Sequence, residues 1–589
     1  MHERCPLPES LVAKMPFQLL PGAVYQPEAL ERGLRWQVAD AAFFRKPEVL
    51  VLVELSYENV RAKEQLDALR TQSFQHFTLG LVRLPDATLP NLPQSHFSGL
   101  TIRQSGTLET FSSIAGEYDF VVLVGSDVIL HPSALYIISR EWGDSLRGSS
   151  SEPRIGYSNT VFISANHQGE YFFRREQDSQ INQLFWNTMG NLLIISPVVL
   201  QQLFEFSNSK LARVPGMFRF LADVPAMASL LKLPTYLIPL GLTIEYQHAS
   251  REMGLPEAVK YMLASAGLSG SESSVGQHLG LRVYRHTLAR LSAKIDVVIP
   301  FHNQSELTCR AIRSLRRQKN APDLRLILVD NKSTLDEHER VKSCLEDCGV
   351  ADQSVLLQDQ EYFNFARINN RAASYGHAPY ILFMNNDVEL QDERSLQTML
   401  SWMALSKIGA VGGTLVYPEG TIQSAGIRFL PVRPANMAIA EHFVGVTREV
   451  EALSLALCLV RRKAWSDVGG LDERHCPNGY GDALFGAAMR SHGWYNLQLA
   501  EVSALHHESV SRGFKPEDYE VYTLQKLGIE IGDLSEDFRS GLRPTLLSLS
   551  PPSQQPLDRI FAALKRRERL RRIVEILLAP IFKLPFFSR

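Results

Sequence analysis

The sequence predicts an α/β protein of two tandem domains, each with a Rossmann-like, mainly parallel sheet, followed by a C-terminal amphipathic helical tail. Three observations predict it. Apolar, β-rich runs alternate with stretches of helical period, the pattern of a parallel sheet covered on both faces. That order begins near residue 48 and restarts near residue 294. A repeat after roughly 250 residues is far too long for a solenoid and means two related domains. The chain has 589 residues, too many for one hydrophobic core.

Taken in order, residues 1–45 are irregular and read as an N-terminal arm. The first domain is expected over 46–265. It opens with the strand PEVLVLVEL, continues through ENVRAKEQLDALRTQ, a helix with Val60, Leu66 and Leu69 on one side, and then the strands FTLGLVRL and YDFVVLVGSDVIL. The Gly/Ser-rich GLSGSESSVGQ lies in the expected linker, 266–292. The second domain is expected over 293–535. KIDVVIPFHN is a strand ending in a polar turn, and LTCRAIRSLRRQK is a helix with Leu307, Ile312 and Leu315 facing inward. LRLILVDNKST and APYILFMNNDVEL are further strands, and residues 536–589 form the tail.

Hydrophobic residues make up 45% of the chain and charged residues 21%, which excludes wholesale disorder. The net charge of −2 gives no basic excess, so no nucleic-acid partner is expected. Six cysteines form no CxxC pair, consistent with a reducing compartment. MHERCPLPES lacks a secretory pattern and no apolar run reaches about 18 residues, so a cytoplasmic location is expected.

Three strands of the second domain end in polar residues: Phe301-His302-Asn303, Asp330-Asn331 and Asn385-Asn386-Asp387. Ligands of open α/β sheets bind at the C-terminal strand ends, near a switch in strand order, so these ends are expected to line one cleft. Residue chemistry alone leaves alternatives open. Asn and Asp favour turns, and Asp330 or Asp482 could simply cap a helix.

The stretch 294–515 resembles a family-2 glycosyltransferase of GT-A fold. The resemblance is carried, in order, by VVIPFHN, LILVDNKST, NFARINNRAA, ILFMNNDVEL, GAVGGTLVYPEGTIQSAGI, ALCLVRRKAWSDVGGLDE and LHHESVSRG. It implies a metal-dependent, inverting transfer of a sugar from a nucleoside diphosphate, UDP- or dTDP-linked, to a glycan or lipid-linked glycan in cell-surface polysaccharide assembly; the alternative is a non-catalytic paired GT-A scaffold or glycan-binding protein. Pro300, Phe301, Asn303, Asp330, Asn385 and Asn386 would line the nucleotide-sugar pocket. Arg367 would meet the phosphates or stay a solvated charge. Asp387 would bind Mn²⁺ or Mg²⁺, with His506, or its neighbour His507, completing the metal or pyrophosphate site. Asp482 in GYGDALFGAAMRSHGW matches the general base, which takes the acceptor hydroxyl proton. The family's second Asp and its Arg are replaced here by Leu484 and Ala488, so the usual support for orienting the acceptor is missing. Ser509, Ser511 and Arg512 would belong to a loop over the phosphates.

Residues 48–250 resemble the same fold in degraded form. Asp127 stands at the last acidic position of the metal segment, and Asp223 and His248 stand near the places of the base and the late His. LVELSYEN has lost the Pro-aromatic-Asn ending, and TLGLVRLPD lacks an acid at the strand end. The expectation is a domain that keeps the fold and has lost nucleotide binding; a second active transferase is the alternative. In the tail, Leu570, Ile573, Val574, Leu577 and Leu578 fall on one helical face amid arginines. That composition suits peripheral contact with an anionic membrane, or docking on the protein's own surface.

Overall fold

A computed structural model describes residues 47–507, apart from 56–58, 83–98, 127, 148–153, 164–169, 174–180, 212–216, 247–254, 269–270, 279–280, 321, 430–433 and 437–445. The N-terminal arm, Asp127, His248, Ser509, Ser511, Arg512 and the C-terminal tail therefore lie outside the described residues. The chain divides into two compact units, the first reaching residues 269 and 274–284, the second beginning at 285 apart from residues 270–273.

The first unit holds β1 (Val49–Glu54), α1 (Asn59–Arg70), β2 (Phe77–Val82), β3 (Ile102–Gly106), α2 (Leu108–Ile114), β4 (Phe120–Val124), β5 (Val128–Leu130), α3 (Ala134–Arg147), β6 (Ile155–Ile163), β7 (Glu170–Phe173), β8 (Leu192–Ile195), α4 (Pro197–Lys210), α5 (Met217–Leu231), β9 (Thr235–Tyr246) and α6 (Glu257–Ser265). All six residues of β1 are buried, as expected of a strand covered on both faces. Leu66 and Leu69 of α1 join its core, as their spacing predicts. In the span read as a linker, the chain forms a hairpin, β10 (Glu272–His278) and β11 (Leu281–Thr287).

The second unit holds β12 (Lys294–Phe301), α7 (Ser305–Arg316), β13 (Asp323–Asn331), α8 (Leu335–Asp347), β14 (Ser354–Asp359), α9 (Phe365–Tyr375), β15 (Tyr380–Met384), β16 (Val388–Leu390), α10 (Ser395–Trp402), β17 (Ile408–Val416) and β18 (Ile422–Ser424). It continues with β19 (Ile427–Phe429), β20 (Pro434–Asn436), β21 (Arg448–Val450), β22 (Leu457–Arg461), α11 (Arg462–Val468), α12 (Gly481–Ser491) and β23 (Tyr495–His506). In α7, Ile312 and Leu315 are buried, but Leu307 is half-exposed and Thr308 and Cys309 take the inward positions. The helix is turned slightly from the face that the leucines alone suggested.

The two main sheets share one topology among the described strands. The first runs β3-β2-β1-β4-β8-β6-β9-β5 and the second β14-β13-β12-β15-β22-β17-β23-β16. In each, four neighbouring strands are parallel and an antiparallel strand, β8 or β22, is inserted before the order continues. Expectation and structure agree on two mainly parallel α/β sheets, but the second half of each is mixed. The equivalence extends to single residues. Gly125 N–H donates to Asn191 O at 2.9 Å, and Asn385 N–H donates to Ala456 O at 3.0 Å.

Beneath the second sheet's edge, Phe383, Trp465 and Phe485 pack in succession, with ring centroids 4.6 and 5.1 Å apart. Such aromatic pairs add about 0.5–1.5 kcal/mol beyond area burial. A buried ion pair ties the start of β12 to α11: Arg462 Nη2 meets Asp296 Oδ2 at 2.6 Å, and the same oxygen accepts the Ala378 N–H at 2.7 Å.

Candidate active site

β12, β13, β14, β15 and β23 all end at one edge of the second sheet, because each parallel partner shares its direction and β22 reverses between β15 and β17. The polar strand ends therefore share one edge, as their sequence suggests.

At the end of β12 the chain turns sharply: Asn303 and Gln304 both have positive φ, 50° and 52°. Asn tolerates that region, while Gln there is strained, and strain of this kind clusters at functional sites. Asn303 joins two strand ends. Its N–H donates to Ser333 Oγ at 2.7 Å, and its Oδ1 accepts the Thr334 N–H at 2.9 Å. Phe301 is buried and Pro300 half-buried on β12. Asp330, buried at the end of β13, accepts the Ser333 N–H at 2.9 Å and lies 2.6 Å from His338 Nδ1. Its carboxylate thus braces the turn before α8, whose N-cap is Thr334 rather than Asp330.

Arg367 begins its helix near the edge, but its guanidinium forks onto Asp359 at 2.7 and 2.9 Å. Burial pushes the Asp359 carboxyl up, yet the Arg367 bonds and charge, with the Asn331 amide, outweigh it and hold the carboxyl below its usual range. Nothing in the spacing of the sequence marked Asp359 as this partner.

The Asn385-Asn386-Asp387 segment bridges β15 and β16. Asn386 Nδ2 donates to Thr308 Oγ1 at 3.1 Å, which explains the inward Thr308. Asp387 and His506 come together because β16 pairs antiparallel with β23, Val388 opposite His506. Asp387 Oδ1 lies 3.3 Å from His506 Nε2, and Asn385 Nδ2 lies 3.4 Å from the same nitrogen. On the other side of the ring, His506 Nδ1 meets Gln423 Oε1 at 2.6 Å. An amide oxygen accepts only, so a neutral ring that donates its Nδ1–H to this oxygen would turn the Nε2 lone pair toward Asp387. Gln423 stands in GTIQSAGI, and its role was invisible in the sequence because the contact spans 83 residues. Neighbouring His507 turns elsewhere, with Nε2 at 3.0 Å from Glu389 Oε1.

A carboxylate oxygen and an imidazole nitrogen side by side fit a hard or borderline divalent cation. Among the described residues no group of three or more His, Cys, Asp or Glu side chains forms a metal site. Among the described residues, Asp387 and His506 are the side chains that would hold a cation here.

Asp482 is the second residue of α12; the N-cap position is Tyr480, at φ 54°. Its Oδ1 accepts the Ala483 N–H at 2.9 Å. Part of the residue remains open to water, but the carboxyl is packed among protein atoms, and burial pushes its pKa up to about 6 against the pull of those backbone bonds. Its charge is felt by Cys458, whose thiol is pushed up first by burial and then by Asp482. Cys458 pairs with Phe383 near the end of β15, so Asp482 belongs to the same edge. Gly486 lets α12 sit close: a Cβ there would stand 2.2 Å from Ala452 Cβ.

The first unit differs at these places. Strand register puts Glu54 where Pro300 stands and Glu245, opposite Val128, where His506 stands. Glu245 Oε2 accepts from Asn191 Nδ2 at 2.9 Å. The same register matches Thr235 to Asn496, so counting back along the chain puts Asp223 at Leu484, two residues from the place of Asp482. Asp223 accepts the Ala258 N–H at 2.7 Å and braces α6; burial pushes its pKa up to about 6.

An open α/β sheet with an acid, an imidazole and a buried carboxyl at its C-terminal edge belongs to the class that binds and processes ligands at a topological switch point. Residues 296–445 match the family described as Glycosyl transferase family 2. That match lies within the second unit, and the first unit repeats the second's sheet order among the described strands. A 280-residue stretch is 29% identical to the O-antigen biosynthesis protein RfbC of Myxococcus xanthus, over 45% of this chain and 21% of that protein. A 236-residue stretch is 25% identical to the uncharacterized protein y4gI of Sinorhizobium fredii, over 37% of this chain and 25% of that protein. The chain thus matches about a quarter or less of the length of these curated relatives.

Among solved structures, the chain is similar to the mannosyltransferase PcManGT from Pyrobaculum calidifontis in complex with GDP-Man and Mn²⁺. The TM-score is 0.31 at 16% identity, over 38% of this chain and 60% of that one. It is also similar to GalNAc-T7 with UDP, GalNAc and Mn²⁺, at TM-score 0.33 and 14% identity, over 44% and 55%. No described helix is long and apolar enough to cross a membrane.

Proposed function

We propose that the second unit is a metal-dependent, inverting transferase that moves a sugar from a UDP- or dTDP-linked donor to a glycan or lipid-linked glycan in cell-surface polysaccharide assembly. The observation that carries the reading is the pairing of Asp387 with His506 at 3.3 Å, on the edge that also holds Asp330 and Asp482. Pro300, Phe301, Asn303, Asp330, Asn385 and Asn386 bind the nucleotide sugar. Arg367 acts there through its fork on Asp359, which fixes the start of α9. Asp387 and His506 hold the cation, Mn²⁺ or Mg²⁺. A bound cation supplies charge neutralisation for the departing diphosphate. Asp482 removes the acceptor hydroxyl proton as that oxygen attacks the anomeric carbon opposite the leaving group. A carboxyl with its pKa raised toward neutrality is a stronger base than a solvated aspartate and still ionised at pH 7.

The first unit is support rather than a second engine, since Glu54 and Glu245 replace Pro300 and His506. The reading places the protein in the cytoplasm, with the basic C-terminal segment touching the membrane where a lipid-linked acceptor resides.

The test is release of nucleoside diphosphate from UDP-, dTDP- and GDP-sugars with Mn²⁺ or Mg²⁺ and a lipid-linked acceptor extract. Turnover lost in Asp387→Ala and Asp482→Asn but kept in Asp127→Ala supports the reading. A separate activity lost in Asp127→Ala makes both units enzymes. Wild type that neither turns over nor binds any nucleoside diphosphate refutes the enzymatic assignment.

A further inference from the structure

We propose that His338 is a positioning residue for nucleotide recognition: its imidazole holds the Asp330 carboxylate, and with it the turn shared with Asn303, in place to receive the base of a nucleoside diphosphate. The inference rests on the transferase reading and deepens it by adding a residue that acts without touching the ligand.

Place comes first. The strand order of the second sheet reverses at β12, which lies between β13 and β15. Open sheets bind ligands at such a switch point, beyond the C-terminal strand ends. Asp330 stands there, in register with Phe301, the last residue of β12. Its side chain is 5% exposed, and that of His338, from the second turn of α8, is 13% exposed beside it. Oδ2 lies 2.6 Å from His338 Nδ1, and Oδ1 accepts the Ser333 N–H at 2.9 Å. A carboxylate only accepts, so in this arrangement the imidazole donates its Nδ1–H to Oδ2. The two bonds fix the last torsion of the aspartate, which is otherwise broad. They leave roughly two of the carboxylate's acceptor positions to a ligand.

The helix that carries His338 is itself fixed to both strand ends. Thr334, the N-cap of α8, accepts the Glu337 N–H at 3.4 Å. In a local capping box the Glu337 carboxylate would return to the Thr334 N–H. Here the partners are exchanged: Glu337 Oε2 accepts the Ser305 N–H at the start of α7, at 2.7 Å, and the Thr334 N–H goes to Asn303 Oδ1 at 2.9 Å. His338 follows Glu337, and its own N–H returns to Thr334 O at 3.0 Å. Asn303 N–H also donates to Ser333 Oγ at 2.7 Å, so the turn braced by Asp330 is the turn that orients Asn303. Thr334 already caps α8, so the helix does not need Asp330 for that purpose. Burying a carboxylate is costly unless it is paired and hydrogen-bonded. An acid held in one orientation by residues behind it is the arrangement of a preorganised binding site.

Calorimetric titration of the full chain with UDP and dTDP, in the presence of Mn²⁺, reads the effect without turnover, and circular dichroism shows which variants are folded. His338→Ala and His338→Phe should each raise the nucleotide Kd roughly tenfold, the scale of one hydrogen bond to a charged group. His338→Asn, whose amide donates from near the place of Nδ1, should bring the Kd back to within about threefold of wild type. In an Asp330→Asn background, His338→Ala should change the Kd by less than about twofold, because the bond it removes is already altered. A Kd unchanged in His338→Ala and His338→Phe overturns the proposal. So does a loss in His338→Asn as large as in His338→Ala, or an equal loss with and without the Asp330 carboxylate, which would make the histidine merely structural. If His338→Ala does not fold, the comparison of His338→Phe with His338→Asn decides. Failure of wild type to bind either nucleotide would instead refute the transferase reading, a result distinct from every variant outcome.

Discussion

Replacing Gln423 with leucine tests whether the His506 ring is held for a cation. The side chain is 8% exposed and its Oε1 lies 2.6 Å from His506 Nδ1. Leucine keeps much of the volume and removes the acceptor. The buried Nδ1–H then loses its partner, at a cost of about 1–3 kcal/mol. The ring can recover part of that by rotating or by moving its proton to Nε2, and either change turns the lone pair away from Asp387. Losing an outer-shell partner of this kind weakens metal affinity by roughly 10–100-fold. Titration with Mn²⁺ in the presence of UDP, following the free-ion signal by electron paramagnetic resonance, reads that change directly. His506→Ala sets the scale of a lost ligand, and unchanged melting shows that the variant is folded. If Gln423→Leu binds Mn²⁺ as tightly as wild type while His506→Ala does not, the tautomer argument is wrong. If neither variant changes the affinity, His506 is not a ligand.

Three further outcomes follow from the same contacts. With the Asp482 pKa raised to about 6, the carboxylate proposed as the base is lost as pH falls through about 6, so kcat/KM should drop there rather than near 4; a pH–rate profile measures it. Arg462→Met leaves Asp296 buried and uncompensated and should cost about 3–5 kcal/mol in denaturant unfolding of the second unit. Asp223 has a folded pKa of about 6 against an ordinary 3.8, so its contribution is full below about 4 and disappears as pH rises through about 6. That amounts to roughly 3 kcal/mol in the first unit, and Asp223→Asn should flatten the pH dependence of its melting temperature.

The sequence made the alternation of strands and helices legible because each buried strand is a short apolar run with a polar stop. It also brought Asp387 and His506 into one site through motif resemblance, and register joins them through Val388 opposite His506. Contacts made by tertiary placement were not legible. Gln423 is an ordinary amide on a three-residue strand until β18, β16 and β23 share an edge. Arg367 reads as free for phosphate because its partner Asp359 ends the strand before its helix and is unmarked by any motif. The short β3 and the β10–β11 hairpin carry too little hydrophobic pattern to stand out from loops. Leu307 yielded its inward place to Thr308 because a polar contact with Asn386 outranked a simple apolar stripe.

The shared strand order of the two sheets means that the chain contains its own reference. Positions alike in both copies, such as the bond from Gly125 or Asn385 to the facing strand, are what closing this sheet requires of any sequence. Positions that differ, Glu245 against His506 and Glu54 against Pro300, are free of that requirement, and the proposed function assigns the second copy's residues to a ligand. Transplanting the second set into the first copy, one residue at a time, would separate folding from chemistry inside a single molecule, with solvent, temperature and expression held in common.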